Sequence, residues 1–202
     1  MTTTTVPPDG HALAQWPAAP DLPRLVARQL VALRPLLRAP ACSVALLDRE
    51  RRLQFVAASG TGAPAIVGQV IAHDQGIAGW AVSTGQAISV SDITTDGRFA
   101  ADVAAATGYL PTRITAVPVM GEAGALGVLE VLDADPTDAG TAAAAVAAAA
   151  ESVADLALSL GTGGSSDPAL AAFERLADGD PELARHVSAV VLALAARRER
   201  RR

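Results

Sequence analysis

Gly76-Ile77-Ala78-Gly79-Trp80-Ala81-Val82-Ser83, followed by Thr84-Gly85-Gln86 and then Val90-Ser91-Asp92, is the stretch on which the fold turns. Its first eight residues predict a short helix, and Gly85 is its stop, because glycine tolerates the left-handed backbone that ends helices. Residues 87–90 then read as a short strand. Residues 95–106 are polar first and Ala-rich later, a loop leading into a helix that Gly108 ends. Upstream, 42–47 and 53–58 flank the charged turn Asp48-Arg49-Glu50-Arg51-Arg52, a hairpin pattern lacking Asn-Gly or Asp-Gly. The Gly-rich residues 59–62 end the second of these strands. Downstream, 114–119 and 126–132 are strands joined by a turn at 121–124 with glycine at both ends. Both are nearly continuous apolar runs, which predicts a sheet covered on both faces.

Helices flank this set. Leu22, Val26, Leu30, Leu33 and Leu37 recur at steps of four and three, one apolar stripe starting after Asp21, the expected N-cap. Pro35 should kink or end that helix. Asp135-Pro136 opens a long helix in which Ala142, Val146, Ala149, Val153, Leu156 and Leu160 form a heptad-like seam. The expected organisation is a disordered Thr- and Pro-rich leader at 1–20 and one domain at 21–160. A flexible linker at 161–167 then leads to a helical hairpin at 168–202 that ends Arg-rich.

Composition narrows the chemistry. The 202 residues contain no Lys and no Asn, so all 16 basic residues are Arg. Without Lys there is neither a Walker phosphate loop nor a Schiff-base catalyst. Cys42 is the single cysteine, which rules out an intrachain disulfide and a Cys-rich zinc site. His11, His73 and His186 are far apart, and none has a second ligand at helical spacing, so no metal and no cofactor is expected. A net charge of -5 gives no general attraction to nucleic acid. The leader lacks the layout of a secretory signal, and Glu151 and Asp155 interrupt the longest Ala-rich run. The expectation is a cytoplasmic protein without a membrane span.

The order of helix, hairpin, short helix, strand, loop-helix, two strands and helix describes an α+β fold, an antiparallel sheet with helices on both faces. The Gly76 to Asp92 motifs resemble the middle of a GAF domain. Asp96-Gly97-Arg98-Phe99 is similar to that family's Asp-x-Arg-Phe element. Ala116-Val117-Pro118-Val119 and Gly127-Val128-Leu129-Glu130-Val131-Leu132 are similar to its last two strands. The resemblance covers roughly 21–160. It implies a ligand pocket between one sheet face and the short helices, with terminal helices on the other face that often pair subunits and carry signals. The Asn-Lys…Phe…Asp-Glu motif of cyclic-nucleotide-binding GAF domains is absent. Cys42, in the first strand, is misplaced for a bilin, and one cysteine cannot run the disulfide chemistry of free methionine sulfoxide reductases. Haem sensors need an axial His, and His73, near the pocket rim, is read as a surface loop residue.

The ligand-contact candidates are Trp80, Asp92, Arg98, Phe99, Tyr109 and Arg113. Trp80 either walls the pocket or anchors the core between helix and sheet, and the core position is expected. Asp92 and Asp96 orient a ligand or make Asx-turns. Arg98 and Arg113 clamp an anion or form structural ion pairs. Tyr109 sits in the loop over the pocket, where its hydroxyl can reach a ligand. Glu130, inside an apolar strand, is solvent-facing or paired with Arg28 or Arg24.

No nucleophile–base pair is visible, so no catalytic residue is named. The leading expectation is a non-catalytic regulatory protein that senses a small molecule and transmits through its terminal helices as a homodimer. The alternative is a ligand-free scaffold that docks a protein partner, with the C-terminal hairpin as one docking element. A DNA-binding regulator ranks third, because two helices are too few for a stand-alone helix-turn-helix. The interior discriminates the first two: an open cavity with convergent polar groups favours the sensor, an Ala/Val-filled one the scaffold.

Overall fold

The computed structural model describes residues 21–98, 105, 107–135 and 139–161. The expected leader, linker and C-terminal hairpin, Phe99 and most of the loop-helix at 95–106 lie outside the described residues. Six strands form one antiparallel sheet: β1 Ala41–Leu47, β2 Arg52–Gly60, β3 Val70–Ala72, β4 Ile88–Val90, β5 Ile114–Gly121 and β6 Gly124–Leu132. Their order is β3-β2-β1-β6-β5-β4, so β1 and β6 are central. Ser43 pairs with Glu130 and Val44 with Leu129 across them.

Both hairpins form without Asn-Gly. In the first, Arg51 takes the left-handed position at φ 58, and the Asp48 carboxylate accepts from the Arg52 amide at 2.8 Å. In the second, Gly121 pairs with Gly124, which leaves Glu122-Ala123 as a two-residue loop. The sequence reading missed two small elements, α2 Ala63–Ile66 and strand β3, because four and three residues are too few to show a period.

One sheet face carries the terminal helices. Helix α1 spans Leu22–Leu36 and packs on β2 and β1; α4 spans Ala139–Gly161 and packs on β5 and β6. Pro35 sits in the last turn of α1, where the helix ends one residue later. Asp21 occupies the N-cap position, but its side chain makes no capping hydrogen bond, a departure from expectation. The seam of α4 is spent inside the chain. Val146, Ala149, Val153 and Leu156 are buried with Leu30, Leu33, Leu129 and Val131, while Glu151 and Asp155 face outward. By length and composition Ala142–Ser159 could cross a membrane, but its apolar stripe covers its own sheet.

The other face carries α2 and α3, the latter Gly76–Thr84. Ile77, Ala78, Ala81 and Val82 pack there on Ala45, Phe55, Ile114 and Val128. Gly79 allows the close approach of α3 to its own entry loop, since a Cβ would lie 2.5 Å from the Asp74 carbonyl carbon. The observed architecture is thus the expected α+β sheet covered on both faces.

Candidate functional site

Strand alternation divides the central strands between two environments. On β1, Cys42, Val44 and Leu46 point to the terminal helices, and Ser43, Ala45 and Leu47 to the opposite side. On β6, Leu129 and Val131 point to the helices, and Val128, Glu130 and Leu132 away from them. Between this second face and α2, α3 and the 107–111 segment lies a cavity of about 90 Å³. That is room for several water-sized groups. Phe55, Ile66, Ile71, Ile77 and Leu132 make its walls largely apolar, and Gln75, Thr61 and Ser43 contribute polar atoms.

Glu130 is the charged side chain of this lining, half-buried in the wall. It neither faces bulk solvent nor pairs with Arg28 or Arg24, as the sequence reading expected. Its Oε2 accepts the hydroxyl of Ser43, its cross-strand partner, at 3.2 Å. Glu130 shares the cavity side of β6 with Val128 and Leu132, whereas α1 lies behind the sheet. Burial among apolar walls pushes the Glu130 carboxyl up to about 7, against a smaller lowering by the Ser43 bond.

This shift sets a stability prediction. Below its ordinary value of 4.5, Glu130 is protonated in both folded and unfolded chains. Between there and about 7 the unfolded chain loses the proton first, so the folded state loses relative stability as pH rises. Glu130→Gln removes the penalty. The variant should be more stable than wild type by about 1–3 kcal/mol near pH 8, and the gap should close near pH 4. Urea titrations at both pH values check this.

The sequence-named candidates separate. Tyr109 lines the cavity, but its hydroxyl is engaged, donating to Asp133 Oδ2 at 2.5 Å. Burial, with that bond second, pushes the Tyr109 phenol upward. Asp133, in a left-handed turn at φ 52, also accepts the Thr112 and Arg113 amides, each at 2.8 Å, and so fixes the loop over the cavity. Arg113 is not in the cavity lining, and its buried Nε finds no acceptor among the described residues. Asp92 caps the 3₁₀ turn Ile93–Thr95, accepting from the Thr94 amide at 3.0 Å and the Thr94 hydroxyl at 2.6 Å. Arg98 pairs with Asp96 at 2.6 Å, and this bond holds the Asp96 carboxyl down to about 2. Phe99 lies outside the described residues.

Trp80 is neither core nor cavity wall; its exposure is 40%. With Ile77, Ala78, Ala81 and Val82 turned inward, position 80 falls on the outer side of α3. The Arg98 guanidinium sits 4.7 Å above its ring centroid. Trp80→Ala should therefore cost under about 1.5 kcal/mol, the scale of one exposed cation–π contact plus partial burial. A thermal melt that falls as for an emptied core site would refute this placement.

Ser43 and Glu130, which the sequence reading did not name as site residues, are the polar pair that the fold brings together. The single charge in an apolar strand was the available signal, but its facing depended on the register of β1 against β6. Cys42 is adjacent in sequence and points the other way, its Sγ 3.6 Å from the Leu30 carbonyl oxygen. Burial pushes its thiol up to about 12, so it is an inert core residue.

Among solved structures, the chain is similar to the GAF domain from Acinetobacter phosphoenolpyruvate-protein phosphotransferase. The identity is 20% and the TM-score 0.60, over 77% of this chain and 93% of that one. Residues 122 to 287 of a methyl-accepting chemotaxis protein match at 20% identity and TM-score 0.59, over 75% and 97%. Free methionine-R-sulfoxide reductase from Neisseria meningitidis matches at 18% identity and TM-score 0.52, over 72% and 91%. At these identities the likeness is one of fold. No curated protein matches the chain. The GAF domain family matches residues 21–158, which take in the whole of the sheet, α1 and all but the last three residues of α4, and the chain belongs to that family.

Proposed function

We propose that this chain is a non-catalytic regulatory module that senses a small molecule in the cavity and reports it through α1 and α4. GAF domains are generally ligand-binding regulatory domains. The observation that carries the reading is the shared wall. Ser43 and Glu130 face the cavity, while their immediate neighbours Cys42, Leu129 and Val131 pack against the terminal helices. A ligand that shifts β1 or β6 acts on the output helices through one layer of backbone, provided that it binds one arrangement better than the other. An open interior with convergent polar groups also supports the sensor over the ligand-free scaffold.

The non-catalytic part rests on the chemistry of the wall. Ser43 next to Glu130 is a hydroxyl beside a carboxylate, and among the described residues no imidazole lines the cavity to activate it as a nucleophile. The homodimer belongs to the same proposal, but its surface is now the outer side of the terminal helices, where Val31 and Leu36 on α1 are exposed.

Native mass spectrometry of the full chain as purified tests this reading, beside Ala58→Leu, which fills the cavity from β2. A non-covalent small-molecule adduct that is lost in the variant is the expected result. An adduct retained in Ala58→Leu, or turnover of the adduct to a product, would overturn it.

A further inference from the structure

Among the described residues, charge in the cavity is one-sided: Glu130 is the charged group of its lining, and the other titratable side chains there are Tyr109 and Cys42. The Tyr109 hydroxyl donates its hydrogen bond to Asp133, and Cys42 turns its thiol to α1. One Glu130 oxygen receives the Ser43 hydroxyl, which leaves the other to accept from whatever enters. Among the described residues no Arg lines this space, and the sequence has no Lys to supply an ammonium. A carboxylate taken from water into such walls is costly until a cation or a proton compensates it.

Resting on the reading of this cavity as a small-molecule site, we infer that its ligand is a compact organic cation, a primary or secondary ammonium on a short branched apolar body. The ammonium meets Glu130, with Ser43 holding the carboxylate in place, and the apolar body fills the space towards Phe55, Ile71 and Ile77. An anionic ligand would stand against Glu130 uncompensated, and a neutral one would leave only a proton to offset the carboxylate's charge.

The upward shift of the Glu130 carboxyl adds a pH signature. A cation must displace the proton at low pH, so affinity should rise with pH. The gain is roughly tenfold between about pH 6 and pH 8 for a group titrating near 7 in the free protein. The amine itself stays charged across that window.

The test uses three probes with one skeleton: 3-methylbutan-1-amine, 3-methylbutan-1-ol and 3-methylbutanoate. Each is titrated calorimetrically into the full chain and into Glu130→Gln, up to about 20 mM, which covers fragment-scale affinity. In wild type near pH 8 the amine should bind at least about tenfold more tightly than the alcohol, and the carboxylate more weakly than either. Near pH 6 the amine's advantage should shrink about tenfold, and in Glu130→Gln it should vanish while the alcohol still binds. Equal binding of amine and alcohol, preference for the carboxylate, or an amine preference that survives Glu130→Gln would overturn the inference and leave the cavity reading standing. Failure of all three probes to bind would overturn both.

Discussion

Val153→Glu should abolish cooperative folding of the domain. Val153 has 0% exposure and lies at the centre of the cluster formed by α1, α4 and the back of the sheet, among Val26, Leu129 and Val131. A carboxylate there is set among the apolar side chains of this cluster, so the chain must bury it protonated or open the α4 packing to water. Either route costs about 4 kcal/mol or more, a large part of the stability of a domain this size. The expected outcome is loss of the sigmoidal thermal transition and partition into the insoluble fraction. Asp155→Ala, two residues on and facing outward, should melt within about 2 °C of wild type. A seam that served as a subunit interface would instead give folded monomers. Sedimentation of a soluble, cooperatively folded Val153→Glu chain would return the seam to that role.

Gly127→Ala should also destabilise strongly, although it adds one methyl group. Gly127 sits where β6 crosses β1 opposite Leu46. A Cβ on it would stand 2.2 Å from the Ala45 carbonyl oxygen and 2.9 Å from the Leu46 Cα. Both are backbone atoms of a central strand held by ladders on either side, so neither can move without breaking sheet hydrogen bonds. The expected loss is about 3 kcal/mol, or a melting temperature lower by on the order of 10 °C. Gly97→Ala is the control, because a Cβ at Gly97 meets nothing within 4 Å. Equal melting of the two variants would show that the strands part more easily than their geometry indicates.

Much of the fold was legible before any coordinates. The glycine that stops α3, the charged turn of the first hairpin and the apolar runs of β5 and β6 are local signals, each set by backbone conformation or by a short period. The stripe of α1 and the seam of α4 were legible as apolar faces, since helical spacing places their residues on one side regardless of partner.

What those faces meet was not legible. The α4 seam has the spacing of an inter-subunit contact, and only the packing of α4 on β5 and β6 shows that its own sheet consumes it. Trp80 was expected inside because large aromatics favour cores, but the inward side of α3 is decided by which residues reach Phe55 and Val128. Tyr109 lines the cavity, yet its hydroxyl answers to Asp133, 24 residues away. Glu130 was visible as an anomaly in an apolar strand. Its role depended on a register that pairs it with Ser43, 87 residues earlier, and on the parity that turns both towards the cavity. Residue types and local periods determine which elements form. Register and layer packing, which join residues far apart in the chain, decide which side chains share a cavity.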